Sequence, residues 1–153
     1  MALAYSIEGN LGQIRIPTPR PPRKVDGLWN HTCCEFFVKV SGEQSYYEFN
    51  FAPSGEWAVY AFQTHRHRVA GGESVASPQI TFYKTGDVME LNAAVSLARL
   101  SSRHTRAKLS VGLATVVEDM NGRLSYWALA HVNGKPDFHN AAAFALDLDE
   151  IRN

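Results

Sequence analysis

Cysteine is scarce in this chain: there are two, Cys33 and Cys34, and they are adjacent. Neighbours on a strand point to opposite faces, so a bridge between them would be strained and would close no loop. They read as reduced thiols, one of them in the core. Charge of one sign is also missing. Fifteen Lys and Arg stand against fifteen Asp and Glu, leaving no positive surplus to displace counterions from nucleic acid or an anionic membrane. No run of about 18 apolar residues occurs, so no membrane-spanning helix is expected. The N-terminus lacks a basic start and Glu8 cuts its apolar stretch short. That predicts no signal peptide and a cytoplasmic location. The Gly-x-Ser-x-Gly, His-Glu-x-x-His and phosphate-loop patterns of common catalysts are absent too.

What remains is the composition of a folded domain. The 153 residues are 45% hydrophobic and 20% charged, which fits one domain over 1–153 with a core of ordinary size. Four of the seven prolines fall between Pro17 and Lys24, with Arg20 and Arg23. Proline removes a donor and fixes φ. The basic segment 17–27 is therefore predicted to be an extended surface connection, following an edge strand and lying outside the sheet ladders.

The rest of the chain alternates with period two, the signature of strands. From Trp29 to Val40, one parity carries Cys34, Phe36, Val38 and Val40, and the other carries Trp29, His31, Cys33, Glu35 and Phe37. Tyr46 to Phe51 separates Tyr47, Phe49 and Phe51 from Tyr46, Glu48 and Asn50. A Pro53-Ser54-Gly55 turn leads into Trp57 to Phe62. Further strands are predicted at Ile80 to Lys84, Val88 to Leu97, Ala107 to Val117, Leu124 to His131 and Phe144 to Leu148, with Asn121-Gly122 as a type I′ hairpin turn. Asn92 to Ser101 has helix-favouring residues but strand parity. Many short strands with one apolar face each predict an all-β fold, an antiparallel two-sheet β-sandwich of jelly-roll-like form.

The second face of the first two long strands is unusual for a solvent face. If they pair as a hairpin, Trp29, His31, Glu35 and Phe37 line up with Tyr46, Glu48 and Asn50. Sugars suit such a surface, because their C–H faces lie on aromatic rings and their hydroxyls need carboxylate or carboxamide partners. The alternative is that loops cover these aromatics and make a second small core.

The runs Gly27-Leu28-Trp29-Asn30-His31-Thr32-Cys33-Cys34-Glu35-Phe36-Phe37 and Tyr47-Glu48-Phe49-Asn50-Phe51-Ala52-Pro53-Ser54-Gly55-Glu56-Trp57 resemble the DOMON-like, family 9 carbohydrate-binding-module-like domains. So does Tyr126-Trp127-Ala128-Leu129-Ala130-His131 with Gly134-Lys135-Pro136-Asp137-Phe138-His139. The resemblance runs from about Leu28 to Leu148 and implies a β-sandwich. In the sugar-binding members a tryptophan before a strand stacks on the sugar and a glutamate six residues on accepts from its hydroxyls. Trp29 and Glu35 match that spacing, and Asn50 matches an asparagine of the next long strand. Those binders close the site with a second, C-terminal tryptophan. This chain has none after Trp127, and Phe138 and His139 occupy that neighbourhood. The wider group includes haem-binding domains with methionine and histidine ligands. Met89, Met120, His131 and His139 are available here, but Met89 lies in phase with a core face and Met120 in a turn.

Two other constellations complete the survey. His65 and His67 would share a strand face and could chelate Zn²⁺ or Cu²⁺, yet Arg66 and Arg68 disfavour a cation, so they read as a solvated basic strand and no metal is expected. Glu35 and Glu48, facing each other across paired strands, resemble a glycosidase pair, but nothing else of a hydrolase cleft is present. The expectation is a non-catalytic module that binds a small molecule or glycan, with no cofactor, through Trp29, Glu35, Asn50, Glu48, Phe138 and His139. A haem- or metal-binding domain is the alternative, and a structural or interaction domain without a small ligand comes third. Nothing in the sequence speaks to oligomeric state.

Overall fold

The computed structural model describes residues 1–70 and 75–149. Its strands are β1 (Ala2–Glu8), β2 (Cys33–Val40), β3 (Tyr46–Phe51), β4 (Trp57–Thr64), β5 (His67–Val69), β6 (Gln79–Thr85), β7 (Val88–Ala94), β8 (Leu109–Glu118), β9 (Leu124–Ala128) and β10 (Leu146–Leu148). They form two antiparallel sheets, as the alternation predicts. One has three strands in the order β1-β7-β6. The other has seven, in the order β10-β8-β2-β3-β4-β5, with β9 also on β8. Both β10 and β9 pair with β8, one along Leu109–Val111 and the other along Ala114–Glu118. Among the described residues the only helical turns are short 3-10 ones.

The sheets meet through the expected parity. Cys34, Phe36, Val38 and Val40 of β2, Phe49 and Phe51 of β3 and Val59 of β4 pack with Leu91 and Ala93 of β7 and Val111 of β8. Phe36, Phe49 and Phe51 are fully buried, and each such side chain contributes about 1.5–3 kcal/mol relative to exposure. Trp57 belongs to this core as well.

The other face of the large sheet is covered rather than solvated. Cys33, Phe37, Tyr46, Ala58, Tyr60, Phe62, Ala114 and Val116 form a second cluster with Leu28, Phe138 and Phe144 from the loops. Both readings of this face therefore hold together: a second small core exists, and a pocket opens within it. The strap Ala141–Ala143 crosses β8 so closely that a Cβ at Gly112 would lie 2.7 Å from the Ala143 carbonyl oxygen.

Several local expectations are corrected. Trp29 does not sit on the strand. It lies in a 3-10 turn, Leu28–Asn30, entered through Gly27 at φ 79°, a conformation glycine adopts without steric cost. Ala2–Glu8 forms an edge strand that pairs with β7, and Val88–Ala94 stops before Val95 and Leu97, with Leu97 starting a 3-10 turn. At Asn121-Gly122 only the glycine has positive φ, which excludes type I′. The Asp119 carboxylate instead accepts from the backbone N–H groups of Asn121 and Arg123. His65 and His67 do not share a strand face either. A hairpin turn with Arg66 at φ 57° separates them, and only His67 belongs to β5. Segment 17–27 is not wholly outside the ladders: Lys24 forms a parallel bridge with Trp57, and Asp26-Gly27 is a turn.

Candidate functional site

A pocket of about 480 Å³ opens on the covered face of the large sheet. The sheet supplies its floor and walls: Glu35 from β2, Glu48 from β3, Tyr60 and Phe62 from β4, Val116 from β8 and Tyr126 from β9. Strand parity puts these side chains on one side, since Glu35 pairs with Asn50 and Ala114, and Glu48 with Tyr60. The Leu28–Asn30 turn adds Trp29, the β4–β5 hairpin adds Arg66, β5 adds Arg68, and the loop before the strap adds Pro136, Phe138 and His139. The Trp29 ring meets Tyr60 edge-on, with centroids 5.5 Å apart. Trp29 is 37% exposed, so Tyr60 props the indole without covering its face.

The floor is acidic and buried. Glu35 is 3% exposed, and among the described residues its carboxyl group has no hydrogen-bond partner. Burial, and then the nearby Glu48, push its pKa well above the usual carboxylate range. Glu48 is pushed up to about 7 by burial, against a hydrogen bond from Asn50 Nδ2 to Glu48 Oε1 at 2.7 Å. Asn50 is fully buried and its Oδ1 takes the Cys33 thiol at 3.4 Å.

Beside the acids lies a polar relay. His139 Nε2 stands 3.5 Å from Glu48 Oε2, and His139 Nδ1 is 2.8 Å from the Tyr46 hydroxyl, which accepts from the Arg66 backbone N–H. Burial, then the Arg66 charge, lower the His139 pKa to about 4. His139 is thus a neutral ring near pH 7, and its contact with Glu48 is a polar one rather than an ion pair. Asp137 fixes this corner by accepting from His65 and Arg66, each at 2.8 Å. Burial would raise its pKa, but those two hydrogen bonds hold it below the usual value.

Of the six residues expected at a site, Trp29, Glu35, Glu48, Phe138 and His139 all line this pocket. Asn50 does not. It lies beneath the floor and touches the cavity only through Glu48. Arg66, Arg68, Tyr60 and Tyr126 also line the pocket, beyond the residues the sequence points to. Tyr126 arrives through the β8–β9 hairpin that Asn121-Gly122 signals, whereas Arg66 and Arg68 arrive through the β4–β5 hairpin, which no Gly, Pro or Asn turn announces. Trp127 points away and is 65% exposed. Met89 faces the space between the sheets, whereas His139 lies over the opposite face of the large one, so these two cannot ligate one iron. Among the described residues no group of three or more His, Cys, Asp or Glu side chains is placed to hold a metal ion. Both thiols are buried and free, and burial first of all pushes the Cys34 thiol up to about 12 and that of Cys33 well above its ordinary value.

No helix among the described residues is long and apolar enough to cross a membrane. No protein-family profile and no curated protein matches the chain. The fold, however, is similar to the crystal structure of a Bacteroides uniformis protein assigned as carbohydrate-binding, with a TM-score of 0.67 and 17% sequence identity over 93% of this chain and 69% of that one.

Proposed function

We propose that the pocket is a non-catalytic binding site for a carbohydrate, or a polar ring compound of similar size, and that residues 1–153 make one module of the DOMON-like, family 9 carbohydrate-binding-module-like kind. The observation that carries this reading is Glu35: a carboxyl group 3% exposed, lining a cavity, with no hydrogen-bond partner among the described residues. Its oxygens open on the cavity rather than being sealed in the core, so a ligand hydroxyl can supply the partner that the protein does not. Trp29 offers a half-open indole face for the sugar C–H surface, and Glu48 adds a second hydroxyl partner. A volume of about 480 Å³ lies in the range of small-molecule sites, roughly 300–1,000 Å³. The resemblance of the Trp29–Glu35 spacing to the sugar-binding members, and the fold shared with the Bacteroides uniformis protein, support the same reading.

A glycan array tests it. The chain is expected to retain at least one glycan, and Trp29→Ala and Glu35→Ala are each expected to abolish that signal. Melting of Trp29→Ala should change little, because the indole is 37% exposed. Loss of several kcal/mol of stability in Trp29→Ala, as for a buried aromatic, or an empty array with the unaltered chain, overturns the proposal.

A further inference from the structure

The pocket has a chemical polarity that a neutral sugar does not use. Its floor holds Glu35 and Glu48, and its opposite wall holds Arg66 and Arg68. Neither arginine is fully spent. A guanidinium carries five N–H donors. Arg66 gives one to Asp137 at 2.8 Å, and that carboxylate is shared with His65 at 2.8 Å and the His139 backbone N–H at 3.2 Å. Arg68 stands over the Tyr60 ring, with its guanidinium carbon 3.9 Å from the centroid, and is 3.7 Å from an Asp26 oxygen. The Arg66 and Arg68 side chains are 56% and 53% exposed, which leaves the remaining donors open toward the mouth.

The acids on the floor do not cancel this field for an incoming anion. Burial keeps both carboxyls more protonated than exposed ones, so below pH 7 the floor carries less negative charge than two exposed acids would. The Arg68 guanidinium sits over the Tyr60 ring, and its planar fork suits a carboxylate better than a mobile ammonium does.

Resting on the carbohydrate reading, we propose that the ligand is a sugar acid, its carboxylate held at the mouth by Arg66 and Arg68 while its ring hydroxyls meet Glu35 and Glu48 below. The requirement is one carboxylate on a pyranose-sized ring, as in a free uronic acid or the uronate end of a longer chain.

The test uses matched pairs that differ only in carboxylate against hydroxymethyl at C6: D-glucuronate and D-glucose, D-galacturonate and D-galactose, D-mannuronate and D-mannose. Binding is followed by calorimetry and by the NMR shift of the Trp29 indole N–H at pH 6.5 and low salt. In at least one pair the acid is expected to bind about tenfold more tightly, the scale of one charge-assisted hydrogen bond. Arg68→Gln should reduce that preference to about twofold or less and the double variant Arg66→Gln/Arg68→Gln should abolish it, whereas Arg68→Lys should keep part of it through the retained charge. Circular dichroism and melting of the variants show that they are still folded, and the acid-to-neutral affinity ratio within each variant cancels any loss common to both sugars. A neutral sugar bound as tightly as its acid in every pair overturns the sugar-acid assignment and leaves the carbohydrate reading standing. An acid preference that survives in the double variant overturns the role of the arginines. No shift with any member of the three pairs overturns both.

Discussion

Glu35 and Asn50 are direct cross-strand partners in β2 and β3, yet the Asn50 carboxamide turns along its own strand to Glu48 at 2.7 Å and leaves Glu35 unpaired. The asparagine thereby divides two neighbouring acids into unequal roles. One is a held acceptor with a fixed orientation, and the other stays open to the cavity.

Removing that carboxamide should be costly. Asn50 is fully buried and engages both Glu48 and Cys33. Asn50→Ala strands the Glu48 carboxyl and opens a hole beneath the floor, with an expected loss of about 2–3 kcal/mol. Urea denaturation measures it. A midpoint unchanged within error would show that the Asn50–Glu48 bond orients nothing of consequence.

The acids also set a pH dependence whose sign follows from linkage. The folded pKa of Glu48 is raised to about 7 from 4.5, so the folded state binds more protons than the unfolded chain between those values. Stability from this group is complete below about 4.5 and is lost as pH rises to about 7. His139 runs the other way, since its pKa falls from 6.5 to about 4 and its contribution is lost as pH falls through that window. Glu48 and His139 oppose each other between about 4.5 and 6.5, and Glu35, whose folded pKa is also raised, acts in the same direction as Glu48. Glu48→Gln should therefore gain stability relative to the unaltered chain as pH rises from 4.5 to 7. Melting temperatures of both proteins across that range check it, and parallel curves would refute it.

Much of this arrangement was legible in the sequence, for a physical reason. Period-two alternation reports which side chains share a face, so the grouping of Glu35 with Phe37, and of Tyr46 with Glu48 and Asn50, could be read directly. Alternation does not report which face is then covered. Phe138 and Phe144 lie more than a hundred residues further along the chain, and their docking on Phe37 depends on the whole sheet being in place. Trp29 was assigned to a strand because its parity fitted, but Gly27 in the left-handed region and the Asn30 carboxamide, bonded to the Gly27 carbonyl oxygen, turn the chain there. The bounds of the edge strand before the Pro-rich segment are weakly marked, because the outward positions of β1 are Ala2, Ala4, Ser6 and Glu8, small or charged residues that announce a strand weakly.

The vicinal cysteines should be chemically silent in the native state. Cys33 faces the pocket floor and Cys34 the main core, both below 5% exposure, and both thiols are held protonated by burial. The thiolate is the reactive form. Ellman's reagent should therefore label neither in native buffer at pH 8 over the time in which both react fully in 6 M guanidinium. Rapid labelling of either thiol in the native protein would mean that the floor opens far more readily than its packing indicates.

Gly112 tests whether the strap over β8 supports the site. A Cβ there would stand 2.7 Å from the Ala143 carbonyl oxygen and 3.6 Å from the Phe37 Cβ, and the first contact is with backbone, which cannot rotate away. Gly112→Ala should push the strap off the sheet and cost about 1–3 kcal/mol, the usual scale of overpacking. The strap leads into Phe144, which packs edge-on against Phe37 and Tyr46, and Tyr46 in turn holds His139. Displacement should therefore pass to the pocket wall. Native-state hydrogen exchange is expected to show faster amide exchange at Ala142 and Ala143 and at His139 than in the unaltered chain, with the β2–β3 amides unchanged. Faster exchange confined to Ala142 and Ala143, with His139 unaffected, would show that the strap is a cover only and does not position the polar relay beneath it.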